Sequence, residues 1–230
     1  MNIGGFQKTS LLDYPKEVSA IIWTVGCNFS CPFCYNIDVV TENVTRISEK
    51  EVLSFLEKRK NVIDGLVISG GEPLLQSDII SFCEKVKKIG YLIKIDTNGS
   101  LPGKLEVLVN KGLVDYVAMD VKAPTNKYVA LCGKNVDLER IQDSIDLIRT
   151  SGIDYEFKTT FVPDLLVKED IVQIGKWLNG SLTYFLQQFK NDTSTLSSDL
   201  ENKKPYPKEY LLEALEAVKP FFKQCFVRGI

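Results

Sequence analysis

The chain has no histidine among its 230 residues. That absence excludes histidine-dependent triads, catalytic zinc centres of the ordinary kind and haem held by an imidazole. Any metal chemistry must run on cysteine and carboxylate. Long apolar runs are missing too: a membrane-spanning helix needs about 18 or more consecutive apolar residues. The chain has no such stretch, and its opening MNIGGFQKTSLLDYPKE lacks the apolar segment of an export signal. A cytoplasmic protein without membrane attachment is the expectation. Excess positive charge is also lacking, the formal net charge being -2. The short basic clusters at Lys85, Lys87 and Lys88 and at Lys203 and Lys204 carry no interleaved aromatics, so nucleic acid is not an expected partner.

What is present fits a globular chain with one sizeable core, at 44% hydrophobic and 25% charged residues. The run VSAIIWTV, residues 18–25, reads as a strand buried on both faces and ends at Gly26. Ser48 precedes Glu51 by three, a capping-box pattern, and Val52, Leu53 and Leu56 recur at helical spacing behind it. The alternation continues without a linker: strand GLVIS, a helix near 77–89, strand YLIKIDT, a helix near 103–110, strand VDYVAMDV, a helix at 137–150, strand YEFKTTFV, a helix near 168–178 and strand SLTYFLQQF. Six strands alternating with helices predict an α/β fold with a parallel sheet, best suited to a partial barrel. An open doubly wound sheet is the alternative. One domain is expected over residues 1–230, with a core at about 16–190, a polar loop at 190–206 and a C-terminal helix and tail at 207–230.

Six cysteines are present, and three of them, Cys27, Cys31 and Cys34, crowd into GCNFSCPFCYN. On a helix the spacing i, i+4, i+7 would be mere packing, but Gly26, Asn28 and Pro32 are poor helix-interior residues. The thiols begin just past the carboxyl end of a parallel strand, where such folds place their sites. Clustered cysteine in a chain not bound for export points to metal before disulfides. Three thiolates without a nearby fourth cysteine leave a structural zinc site incomplete, whereas a cubane iron-sulfur cluster can keep one iron for an outside ligand. Cys83, Cys132 and Cys225 have no partner spacing and read as structural.

Two further groups of residues accompany the cysteines. Gly70, Gly71 and Glu72, in SGGEP, end the next strand, where glycine lets backbone approach a ligand closely, although a plain turn has the same composition. Asp96, Thr97 and Asn98 in IDTNG, Asp120 and Lys122 in MDVKAP, and Lys158 in EFKTT are polar residues at the ends of apolar strands. Singly they could be caps, turns or surface residues. Together they converge on one barrel rim.

The cysteine segment, with Phe33 before the third cysteine, resembles the C-x3-C-x-aromatic-C motif of the radical S-adenosylmethionine (SAM) superfamily. GGFQKTSLLDYP, WTVGCNFSCPFCYN, GGEPLLQ, DTNG, MDVKAPTNKY and YFLQQF together resemble the activating proteins of anaerobic ribonucleotide reductase, over roughly residues 4–190. These are glycyl-radical-activating enzymes, related to the pyruvate formate-lyase activating enzyme. The resemblance implies a partial (β/α)6 barrel and a 4Fe-4S cluster on Cys27, Cys31 and Cys34. It implies SAM held near Gly70, Gly71, Glu72, Asp96, Thr97, Asn98, Asp120, Lys122 and Lys158, with a monovalent cation as a further component. The implied partners are a glycyl radical enzyme, the large subunit of anaerobic ribonucleotide reductase, and a reduced flavodoxin or ferredoxin-type electron donor. Family members often carry histidine after the third cysteine, where this chain has Tyr35.

Two other readings remain open on the residues alone. One is a small-molecule radical SAM enzyme such as a 7-carboxy-7-deazaguanine synthase-like protein; the other is a non-catalytic iron-sulfur carrier or zinc-binding module. Two finer expectations also follow. A side chain at Gly71 should block cofactor binding yet spare the cluster, and shortening the loop at 190–205 should weaken action on a partner yet spare uncoupled cofactor cleavage.

Anaerobic reconstitution is expected to yield about four irons per chain. Cys27→Ala, Cys31→Ala and Cys34→Ala should each abolish the cluster in iron and sulfide analysis, and a normal cluster in all three would contradict the assignment.

Overall fold

The β-branched and aliphatic runs form strands where expected. In a computed structural model, which describes residues 1–133 and 136–230, the strands join one sheet in the order β1 to β8. The elements run β1 (Ile3–Ser10), β2 (Ser19–Thr24), α1 (Ile37–Val40), α2 (Glu49–Lys58), β3 (Gly65–Gly70), α3 (Ile79–Ile89), β4 (Leu92–Thr97), α4 (Pro102–Asn110) and β5 (Tyr116–Asp120). They continue through α5 (Thr125–Cys132), α6 (Leu138–Thr150), β6 (Asp154–Phe161), α7 (Lys168–Trp177), β7 (Ser181–Gln188), α8 (Lys208–Val218) and β8 (Phe222–Arg228). Strands β2 to β8 pair in parallel, and β1 adds antiparallel to β2. The end strands are β1 and β8, so the curled sheet is not closed on itself.

The local signals explain several boundaries. The Ser48 hydroxyl accepts a hydrogen bond from Glu51 N at 3.2 Å and starts α2, and the Asp137 carboxylate does the same for Glu139 and Arg140 at the head of α6. Gly90, in the left-handed region at φ 109°, ends α3.

Strand side chains alternate between two environments. Ile22, Leu66, Ile68, Ile93, Ile95, Val117, Met119 and Phe157 share one core with the buried stripes of the helices: Leu56 of α2, Phe82 of α3, Leu105 of α4, Ile145 of α6, Ile174 of α7 and Leu215 of α8. The opposite face holds a small apolar group, Tyr14, Ile21 and Val67, and then turns polar with Lys94, Asp96, Asp120, Glu156 and Lys158. Helices on one face and polar side chains on the other describe a partial barrel and exclude the doubly wound alternative, which needs helices on both faces.

Several elements depart from expectation. β1 and β8 were not foreseen; the expected helix at 207–222 stops at Val218, and the chain turns through Lys219–Phe221 into a strand beside β7. Helix α5 was also unforeseen, and it packs Tyr128, Leu131 and Cys132 inward. No described helix is long and apolar enough to cross a membrane.

The C-terminal segment is fastened by Phe161, fully buried against Tyr206 and Tyr210 at ring-centre distances of 4.6 and 5.6 Å. Phe161→Ala is expected to lower unfolding free energy by about 3–5 kcal/mol. Chemical denaturation of the cluster-free chain checks this, and a loss under about 1 kcal/mol would contradict it.

Candidate cofactor-binding site

The site begins where the parallel ladder between β2 and β3 runs past the strand ends. Gly71 N donates to Thr24 O at 2.9 Å, and Glu72 N donates to Gly26 O at 2.9 Å. This extra pairing brings the cysteine loop and the SGGEP turn into backbone contact. Gly70 has φ 123°, and a Cβ there would stand 2.2 Å from Thr24 N. A Cβ on Gly71 would stand 2.0 Å from Gly26 O and 3.2 Å from Cys27 N. The glycines are therefore required first by strand-to-strand contact.

That geometry corrects the expectation for Gly71: a side chain there pushes on the residue before Cys27, so the cluster loop is not spared. Glu72 also departs from a simple cofactor contact. Its carboxylate is fully buried and accepts from Leu74 N at 3.0 Å, the Thr97 hydroxyl at 2.8 Å and Asn98 N at 2.7 Å. Burial pushes it up to about 7, against the pull of its three donors and of Lys122. Glu72 ties the end of β3 to the end of β4 and does not stand on the cavity wall.

The cavity at this end of the barrel is lined by Cys27, Cys31 and Cys34 on one side, and by Ser69, Gly70, Gly71, Asp96, Thr97 and Asn98 on the next strand ends. Asp120, Lys122, Lys158, Thr160 and Gln187 continue the wall. Apart from Glu72, the structure brings the sequence-predicted residues to one cavity. Three thiols on one wall, with no fourth cysteine on it, fit a cubane that keeps one iron for an outside ligand. Among the described residues, no three cysteine or carboxylate side chains close on a single-ion site.

The thiols differ electrostatically. Burial pushes Cys27 up to about 11 and raises Cys34, whereas the neighbouring Cys132 thiol, with Lys122 assisting, lowers Cys31 despite its burial. Cys27 also accepts from Phe29 N at 3.4 Å and lies 4.0 Å from the Asn98 amide, which donates to Asn28 Oδ1 at 3.0 Å.

Across the cavity, Lys158 Nζ stands 3.6 Å from Asp96 and 3.8 Å from Asp120, and Lys122 Nζ stands 3.3 Å from Asp120. Lys94, buried one step down β4, pairs with Asp96. Burial alone would raise Asp96; Lys158 and Lys94 overcome it and hold the carboxylate at about 2. Lys122 and Lys158 are raised in turn, the nearby anions outweighing burial. Two carboxylates and three ammonium groups thus form a connected layer beneath the cavity.

Sequence reasoning missed several participants. Asn36 donates to Gly70 O at 2.9 Å, bracing the exit of the cysteine loop against β3. The polar segment after β7 touches the same loop: Leu196 N donates to Cys34 O at 3.0 Å and Ser197 N to Pro32 O at 2.9 Å. Tyr35 stacks on Phe189 at 6.0 Å, and its hydroxyl accepts from Lys190 N at 2.6 Å. These contacts correct the expectation that the loop at 190–205 is separable from the cluster. Cys132, read as structural, lies behind Cys31. Only the asparagines inside or beside the cysteine motif offered a local signal.

A barrel that gathers three cysteines, glycine-rich backbone and a lysine-aspartate layer at the carboxyl ends of its strands offers thiol ligands for an iron-sulfur cluster and partners of both signs for an organic cofactor. The radical SAM superfamily profile matches residues 21–178. The chain is 36% identical to a protein of Methanocaldococcus jannaschii that bears the provisional name glycyl-radical enzyme activating enzyme, over 99% of this chain and 96% of that protein. A second protein of that organism with the same provisional name is 29% identical over 85% of this chain and 77% of its own length. In fold, the chain is similar to Streptococcus suis SuiB bound to S-adenosylmethionine, with a TM-score of 0.67 at 16% identity over 89% of this chain. It spans about half the length of SuiB, 48%. The chain belongs to the radical SAM superfamily, and with it come the 4Fe-4S cluster and SAM.

Gly71→Ala is expected to destabilise the chain by about 1–3 kcal/mol, as overpacking does. Iron content and SAM affinity should fall together, measured by iron analysis and calorimetric titration. Normal iron content with lost SAM binding would restore the simpler ligand-approach reading.

Proposed function

We propose that this chain is a glycyl-radical-enzyme activase and that its partner is the large subunit of anaerobic ribonucleotide reductase. The observation that carries the first part is the 36% identity to the provisionally named activase, which runs over 99% of this chain and 96% of the relative. The second part rests on the resemblance of GGFQKTSLLDYP, MDVKAPTNKY and YFLQQF to activators of that reductase.

Cys27, Cys31 and Cys34 hold the cluster, and cluster and SAM together supply a hydrogen-abstracting carbon radical. The residues of the chain position and insulate it. The backbone of Gly70 and Gly71 receives the methionine end of SAM, with Asn36 and Asn98 bracing that wall. Lys122 and Lys158, already placed among Asp96 and Asp120, meet the ribose and carboxylate. A monovalent cation would have to share Asp96 and Asp120 with Lys94, Lys122 and Lys158. The target is a glycine Cα–H on a loop of the partner, entering along the polar inner face of the open sheet. Half-buried Trp23 and Phe185 on that face leave surface for a polypeptide. The clasp of residues 189–197 over the cysteine loop covers the cluster from the side of β7, and a reduced flavodoxin or ferredoxin-type protein supplies the electron.

The reduced protein, incubated anaerobically with SAM and the reductase, should give a glycyl-radical doublet by electron paramagnetic resonance, with formation of 5'-deoxyadenosine. Deleting residues 192–195 should lower both radical yield and SAM cleavage in the absence of partner. SAM cleavage that never produces a protein radical, whatever glycyl radical enzyme is offered, would contradict the activase reading.

A further inference from the structure

Cys132 ends α5 behind the cysteine loop, fully buried, with its thiol next to that of Cys31. The backbones are in contact at the same point. Ser30 N donates to Cys132 O at 3.0 Å, and a Cβ on Gly133 would meet Ser30 Oγ at 2.5 Å. Helix α5 is held in place by Tyr128, whose hydroxyl donates to Asp120 O at 3.2 Å and accepts from Lys122 N at 3.3 Å. Both thiols are free. They differ in access: Cys31 forms part of the cavity wall, and Cys132 does not. Of this pair, a small oxidant in the cavity therefore reaches Cys31 before Cys132.

We propose that Cys31 and Cys132 are a redox pair that closes to a disulfide in the cluster-free chain when peroxide enters the cavity, barring cluster assembly until a dithiol reopens it. The inference rests on Cys31 being a cluster ligand. In the first step the Cys31 sulfur attacks one oxygen of hydrogen peroxide, the O–O bond breaks, and one water leaves with a sulfenic acid remaining on Cys31. In the second step the Cys132 sulfur attacks the Cys31 sulfur; the S–S bond forms, the S–O bond breaks, and a second water leaves with the Cys132 proton. Two thiols are oxidised and one peroxide is reduced to two waters. Closure spares Cys31 from sulfinic acid, which thiols do not reverse. With iron on Cys31 the pair cannot close, so cluster and disulfide exclude each other.

The test uses the iron-stripped full chain. After hydrogen peroxide treatment and alkylation of free thiols, non-reducing digestion and mass spectrometry should show peptides joined through Cys31 and Cys132. The oxidised chain should take up iron and sulfide only after dithiothreitol. Cys132→Ser, untreated, should load iron like the parent; after peroxide its Cys31 should accumulate as sulfinic acid, and dithiothreitol should no longer restore loading. Bridges from Cys31 to Cys27 or Cys34 instead, or sulfinic acid on Cys31 at the same rate in parent and variant, would overturn the inference. If the variant fails to fold, the disulfide map of the parent chain decides by itself. A chain that takes up no iron even untreated overturns the ligand reading beneath it, whatever the disulfide map shows.

Discussion

Two backbone hydrogen bonds past the end of a parallel strand pair, from Gly71 to Thr24 and from Glu72 to Gly26, hold the site together. They place the residue before Cys27 against the SGGEP turn, closer than any side chain permits. From there the connections run outward. Glu72 accepts from Thr97 and Asn98 at the end of β4, and Asn98 reaches Asn28 and Cys27. Three strand ends and the cluster loop thereby become one hydrogen-bonded unit. A buried carboxylate at its centre is tolerated because three donors converge on it.

The polar inner face follows from the same architecture. With helices covering only the outer face, the inner strand positions need not be apolar, and from β4 to β6 they carry Lys94, Asp96, Asp120, Glu156 and Lys158. Mutual pairing keeps these charges in place at a half-buried site. Asp96 between Lys94 and Lys158, and Asp120 between Lys122 and Lys158, fix the ammonium groups toward the cavity. The layer presents charges of both signs to the cavity.

Much of this was legible in the chain because its signals are local. The cysteine spacing, the alternating strands and helices and the polar residues at strand ends each lie within a few residues, and all converge at one rim. What was not legible depends on distant pairing. β1 carries Gly4 and Gly5 and becomes a strand only because β2 lies beside it. β8, with FKQCFVR, reads as the tail of a helix until β7 supplies its hydrogen bonds. Cys132 showed no useful spacing because its neighbour Cys31 stands 101 positions earlier and meets it only through α5. The clasp of Leu196 and Ser197 on the cysteine loop is made by backbone atoms, which leave no pattern in residue types. Gly71 was read as a point of ligand approach, but its missing side chain is required first by the close approach of Gly26 O.

The proposed activity requires that the three-cysteine cluster leave one iron open and that SAM bind it beside the Gly70–Gly71 backbone. Electron-nuclear double resonance on the reduced cluster, with SAM carrying nitrogen-15 at its amino group, tests this most directly. Hyperfine coupling from that nitrogen to the cluster is the predicted result. A cluster of normal iron content whose spectrum is unchanged by saturating SAM, with no coupling from the label, would contradict it.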